Sequence, residues 1–95
     1  MTIQVGRQRI SEGKLDQFVE EWTTSVVPLR EAFGFTFPGA WSLPDSGEFV
    51  FVVSHEGDFD EANRAYFESE ARKQLTPNPT VHIEDASVSV ANVVL

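Results

Sequence analysis

Residues 3–10, IQVGRQRI, alternate between two faces. Ile3, Val5, Arg7 and Arg9 share one face, and Gln4, Gly6, Gln8 and Ile10 share the other, which is the period of a β-strand. Gly6 marks either a weak point or a close approach in that strand. Ser11-Glu12-Gly13 reads as a turn. Over 14–33 the period lengthens. Leu15, Phe18, Val19, Trp22, Val26, Leu29 and Phe33 recur at three- and four-residue steps, while Asp16, Glu20 and Glu21 take the polar side. That stripe predicts an amphipathic helix. Thr23-Thr24-Ser25-Val26-Val27 is a run of weak helix formers, and Pro28 removes a backbone donor, so a kink or a new turn is expected there. Gly34 is a suitable stop.

Strand-like periods return at 35–43, FTFPGAWSL, where Phe35, Phe37, Gly39, Trp41 and Leu43 are expected on one face. Pro38-Gly39 inside the segment predicts a bulge or an edge position, because Pro cannot donate to a ladder. Pro44-Asp45-Ser46-Gly47 is a strong turn signal. Residues 48–55, EFVFVVSH, are apolar on both faces at first, as expected of a central strand paired with the one before it. Asp58, with Glu61 three residues on, predicts a helix start, and Phe59, Ala62, Tyr66, Ala71 and Leu75 supply a buried side over 59–75. Thr76-Pro77-Asn78-Pro79 ends it. A last strand, or two strands interrupted near Glu84-Asp85, covers 80–93. The order β-α-β-β-α-β predicts a single α+β domain over 1–95, a ferredoxin-like plait with helices on one face of an antiparallel sheet.

Composition changes this picture in one respect. Two Trp and eight Phe are a heavy aromatic load for 95 residues. Trp22 falls in the helix stripe, but Trp41 lies in an aromatic strand, and the second face of a plait sheet is uncovered. A second copy of the chain would cover it, giving a homodimer whose sheets close into a barrel. Removing roughly 500 Å² of apolar surface per subunit would contribute about 12 kcal/mol before the cost of association.

The formal charge is -8, from 15 acidic and 7 basic residues, which argues against nucleic acid and anionic membrane surfaces as partners. There is no Cys, hence no disulfide framework. No apolar run approaches the ~18 residues of a membrane span. The opening Met1-Thr2-Ile3-Gln4 lacks the basic-then-apolar order of a secretion signal, so the expectation is a cytoplasmic protein.

The stretch Tyr66-Phe67-Glu68-Ser69-Glu70-Ala71-Arg72-Lys73-Gln74-Leu75-Thr76-Pro77-Asn78-Pro79 resembles the NIPSNAP family pattern of Tyr, Ser and Arg at three-residue spacing followed by Leu and a spaced Pro pair. Gly13-Lys14-Leu15, Trp22, Pro28-Leu29, Gly34 and Gly39-Ala40-Trp41 are similar to that family as well, so the resemblance covers nearly the whole chain. The first strand departs from it, with Gly6-Arg7-Gln8 where an Arg-Thr-Tyr triplet is usual. The resemblance implies a dimeric α–β barrel. It leaves the activity open, since the superfamily holds cofactor-independent monooxygenases, haem-degrading and chlorite dismutase-like enzymes, and stress-induced proteins of unknown role.

Candidate chemistry is sparse. His55 ends a strand on the face of Phe49, Phe51 and Val53; if that face lines the barrel, its imidazole could be a general base. Arg9 could then stabilise an anion, with Arg7 beside it. Trp41, Phe51 and Tyr66 are candidate pocket walls. His82 and Glu84 share a strand face but lack a third ligand, so no metal site is expected. Tyr66 and Arg72, six apart, would be offset by about 120° on a continuous helix. Ser69 has no nearby base and reads as a helix-surface hydroxyl. The expected function is binding of a small apolar or aromatic molecule, or an interaction module, without a cofactor. The alternative is a cofactor-independent monooxygenase acting on a phenolic or polyketide-like substrate, with His55 as base. Haem binding through His55 or His82 is a third reading.

Overall fold

The alternating segment at the start forms strand β1, Thr2–Ile10, in the computed structural model, which describes residues 1–95. The apolar stripe then winds as α1, Leu15–Glu21, a π-helical turn over Trp22–Val26, and α2, Val27–Ala32. The π turn falls on the Thr/Ser run. Thr23 donates to the Val19 carbonyl at 2.9 Å and Thr24 to that of Glu20 at 2.8 Å. These hydroxyls compete for carbonyls of the preceding turn, and the wider register lets Pro28, without an N–H, enter at the start of α2. The irregularity expected near Pro28 is thus taken up one turn earlier. Gly34 ends the helix in the left-handed conformation, φ 89°.

Strands β2, Phe35–Leu43, and β3, Glu48–His55, form the expected hairpin. Helix α3, Phe59–Glu68, begins where Asp58 accepts a hydrogen bond from the Glu61 N–H at 3.0 Å. The single helix expected over 59–75 is interrupted. Ser69 is extended, and a short α4, Glu70–Lys73, follows it. A 3-10 turn, Pro79–His82, leads into one continuous strand β4, Ile83–Ala91. The break expected near Glu84-Asp85 is a bulge. Arg9 opposes Asp85 and Ile10 opposes Ile83, leaving Glu84 unpaired.

The four strands lie in the order β2-β3-β1-β4, all antiparallel, so the chain has the expected ferredoxin-like α+β fold with β3 inside the sheet. Gly6 and Ile10 of β1 and Phe49, Phe51 and Val53 of β3 face the helices. Trp22 is the centre of that interface, with its ring edge-on to Phe37 at 4.9 Å and Phe49 at 4.8 Å. Gly6 has no side chain because the Phe51 ring lies directly against it, which makes it a close approach.

The face assignment of β2 needs correction. Thr36 opposes Ser54, but Gly39 opposes Val52, so β2 carries one extra residue at Phe37-Pro38. The bulge reverses the alternation. Phe35 and Phe37 pack under the helices, whereas Gly39, Trp41 and Leu43 turn to the open face. Trp41 is 55% exposed there. Ile3, Val5, Val50 and Val52 lie on the same face, beside Arg7, whose guanidinium holds both carboxylate oxygens of Glu48 at 2.7 Å. No helix is long and apolar enough to cross a membrane.

Two outcomes test this arrangement. Gly6→Ala should force the Phe51 ring aside and cost about 1–3 kcal/mol in urea denaturation, the range for overpacking. The hydrogen bonds from Arg7, helped by Ser46, hold the Glu48 carboxyl at about 2 against an ordinary 4.5. A depressed folded-state pKa contributes stability above pH 4.5 that is lost as the pH falls toward 2. Glu48→Gln should therefore be less stable than the parent at pH 7, modestly because the pair is in solvent, with the difference closing near pH 2. Equal urea-midpoint differences at both pH values would refute this assignment.

Candidate functional site

Between the helices and the sheet lies a cavity of about 110 Å³. Its floor is Phe37, Phe51 and Val53 of the sheet, with Gln8 from β1. Its roof is Phe18, Trp22 and Val26, and Arg30 from the last turn of α2 closes one end. Tyr66, Phe67 and Arg72 form a side wall. Such a space suits a group of about one aromatic ring, and apolar walls with few polar groups are the usual make-up of a ligand site.

The side wall depends on the break at Ser69. The Ser69 hydroxyl donates to the Tyr66 carbonyl at 2.7 Å and accepts from the Arg72 N–H at 3.1 Å. It caps α4 and redirects the chain, so the offset expected for Tyr66 and Arg72 on one continuous helix does not apply. Arg72 comes to 5.8 Å from the Tyr66 ring centre and 5.3 Å from that of Phe67. The Tyr-Ser-Arg spacing thus has a mechanical meaning, with the serine turning the arginine back onto the tyrosine. Pro79, buried, follows as part of the same wall, and Ser25 ties this loop to the π turn through the Pro77 carbonyl at 3.1 Å.

Arg30 was not singled out by the sequence, where it is one more charge beside Glu31. Its guanidinium stacks over Tyr66 at 4.1 Å and Phe35 at 4.8 Å, and it donates to the Asn63 side chain at 2.7 Å. Burial pushes the Arg30 guanidinium below its ordinary value; Tyr66 offsets part of this and the like charge of Arg72 adds to it. The available signal was its place three residues before Phe33, on the helix flank bordering the apolar stripe. Gln8 was grouped with Gly6 and Ile10 on one side of the strand but given no role. Its side-chain oxygen is buried and has no hydrogen-bond partner.

The other candidates lie elsewhere. The face of Phe49, Phe51 and Val53 is under the helices, so His55 stands at its end and not in a barrel. Its Nε2 is 3.1 Å from the Phe33 carbonyl, and its Nδ1 accepts the Gly57 N–H at 2.9 Å. The Nε2–H tautomer satisfies both bonds, so the imidazole ties the end of α2 to the loop after β3. His82 lies in the 3-10 turn and faces Glu21 at 3.7 Å rather than sharing a strand face with Glu84. Arg9 is exposed on the open face, 3.9 Å from Glu84. Arg7 and Trp41 also belong to the open face, leaving Phe51 and Tyr66 as the sequence-derived wall residues that line the cavity.

No protein-family model matches the chain, and no curated protein sequence does. Solved structures do match. An uncharacterised NIPSNAP domain protein from Burkholderia xenovorans superposes with a TM-score of 0.85 at 13% identity, over 99% of this chain and 95% of that one. A NIPSNAP family protein from Agrobacterium tumefaciens gives 0.84 at 13% identity, over 96% and 90%. A putative antibiotic biosynthesis monooxygenase from Nitrosomonas europaea gives 0.71 at 11% identity, over all of both chains. At such identities the similarity is one of fold. The cavity described above therefore sits in the ferredoxin-like fold of NIPSNAP family structures, which antibiotic biosynthesis monooxygenases share.

Proposed function

We propose that this protein binds a small, largely apolar molecule containing an aromatic ring in the cavity between its helices and its sheet, and that it acts as a homodimer. The cavity carries the first part, since it is lined by the Trp22, Phe37, Phe51 and Tyr66 rings between the helices and the sheet. The open face supports the second. Trp41 stands 55% exposed beside Ile3, Val5, Val50 and Val52, a contiguous apolar surface that a second copy would cover. The acidic, cysteine-free composition suits a cytoplasmic setting. An oxygenase activity, the alternative that the shared monooxygenase fold favours, would need a base in the cavity. The titratable side chains lining it are Tyr66, Arg30 and Arg72, so Tyr66 is the group such a reaction would use.

Trp22 reports on the cavity directly. In a Trp41→Phe background, single-ring aromatic compounds should quench or shift Trp22 fluorescence saturably, and Val26→Phe, which fills the same space, should abolish the response. If no ring compound perturbs Trp22 at millimolar concentration, the binding reading is wrong. Light scattering at micromolar concentration should give about twice the 10.6 kDa chain mass. Trp41→Glu should halve it, and a monomeric parent protein would overturn the dimer.

A further inference from the structure

We propose that the ligand of this cavity is a single-ring aromatic acid, its carboxylate held by Arg30 and Arg72 and its far end donating a hydrogen bond to Gln8. This rests on the cavity being a binding site and adds the chemistry of what it binds.

The first observation is a charge imbalance at one place. The ion pairs of the molecule are Arg7–Glu48, Arg9–Glu84, Lys73–Glu70 and His82–Glu21. None includes Arg30 or Arg72, although acids outnumber bases 15 to 7. The other unpaired basic side chains, Lys14 and Arg64, are exposed, where water serves them. Arg30 and Arg72 are both partly buried and line one cavity, with their guanidiniums within 4.1 and 5.8 Å of the same Tyr66 ring. Two like charges gathered on one ring repel each other, and desolvation raises the cost. Stacking on Tyr66, Phe35 and Phe67, with bonds from Arg30 to Asn63 and to the Tyr66 side chain, offsets part of it but satisfies few of the ten guanidinium N–H groups. An anion with two acceptor oxygens supplies what is missing, and a carboxylate matches the planar fork of an arginine.

The second observation is independent. The Gln8 side-chain oxygen is buried without a partner and belongs to the same cavity. An unmet buried acceptor is rare in folded proteins and calls for a donor. Gln8 opposes Phe49 on β3, while Phe35, under Arg30, opposes His55 six residues further along that strand. Gln8 from β1 and Arg30 from α2 line one cavity, whose other walls are mostly apolar and aromatic side chains. The complementary molecule has a carboxylate at one end, a ring in the middle and a hydroxyl or amino donor at the other.

4-Hydroxybenzoate is the probe that carries all three parts. Calorimetric titration should show it binding at least about tenfold more tightly than its methyl ester and than benzoate, since each lacks one charged or buried hydrogen-bonding interaction. Arg72→Gln should bring acid and ester to similar affinity while keeping the preference for the hydroxyl. Gln8→Leu should do the reverse. Should either variant fail to fold, the ligand series on the parent protein still decides the matter. If the ester binds as well as the acid, the anion inference fails and the cavity reading survives. If benzoate equals 4-hydroxybenzoate, the Gln8 contact fails. If none of the three binds while neutral rings such as toluene do, the pocket is purely apolar; if nothing binds, the cavity reading itself is lost.

Discussion

The edge-on packing of Trp22 against the sheet aromatics is the contact on which the two layers of this fold are set. Its ring meets Phe37 from β2 and Phe49 from β3 edge-on and Phe51 from β3 at a tilt of 41°, so one side chain fixes the helix layer over two neighbouring strands. An indole keeps the layers apart by its own width, and the T-shaped geometry leaves gaps that flat stacking would close. The cavity is one of those gaps. Phe51 can lie low enough to form its floor because Gly6 on the next strand offers no side chain.

Three interruptions of regular structure then determine what faces the cavity. The π turn at Trp22–Val26 adds a residue to the helix without ending it and keeps Val26 on the roof. The bulge at Phe37-Pro38 holds Phe35 and Phe37 under the helices and turns Trp41 away. The break at Ser69 brings Arg72 back onto Tyr66. Each is a local loss of hydrogen-bond regularity, and each delivers a side chain to a place that the uninterrupted element would have denied it. His55 serves the same architecture, bonding backbone at both ring nitrogens where α2 ends.

Much of the fold was legible from periodicity. The two-residue alternation of β1 and the three-to-four stripe through Trp22 need only local geometry; the stripe names the core face of the helix, whereas the alternation sorts β1 into two faces without saying that the Gly6 and Ile10 side is the one under the helices. The turn at 44–47 and the Asp58 cap were legible for the same reason, as short-range chemistry. The candidate site was legible in part. Phe51, Tyr66, Trp41 and Arg7 were all expected as walls of a pocket in a barrel; Phe51 and Tyr66 instead line the cavity under the helices, and Trp41 and Arg7 lie on the opposite sheet face. Arg30 and Gln8 carried no local mark, because an unpaired charge or an unmet acceptor is defined by what is absent around it.

The sequence by itself determined the order of elements, the helix stripe and the acidic balance, since all follow from neighbours within a turn or a strand. Tertiary structure alone decided which way side chains point after Pro38 and after Ser69. One residue of register inverts a strand face, and that residue is counted off by bonds to another strand. It also decided that Arg30 and Arg72, 42 positions apart in the chain, share one aromatic ring with no carboxylate between them. Electrostatic partnership is set by distance in space, and no pattern along this chain encodes that distance.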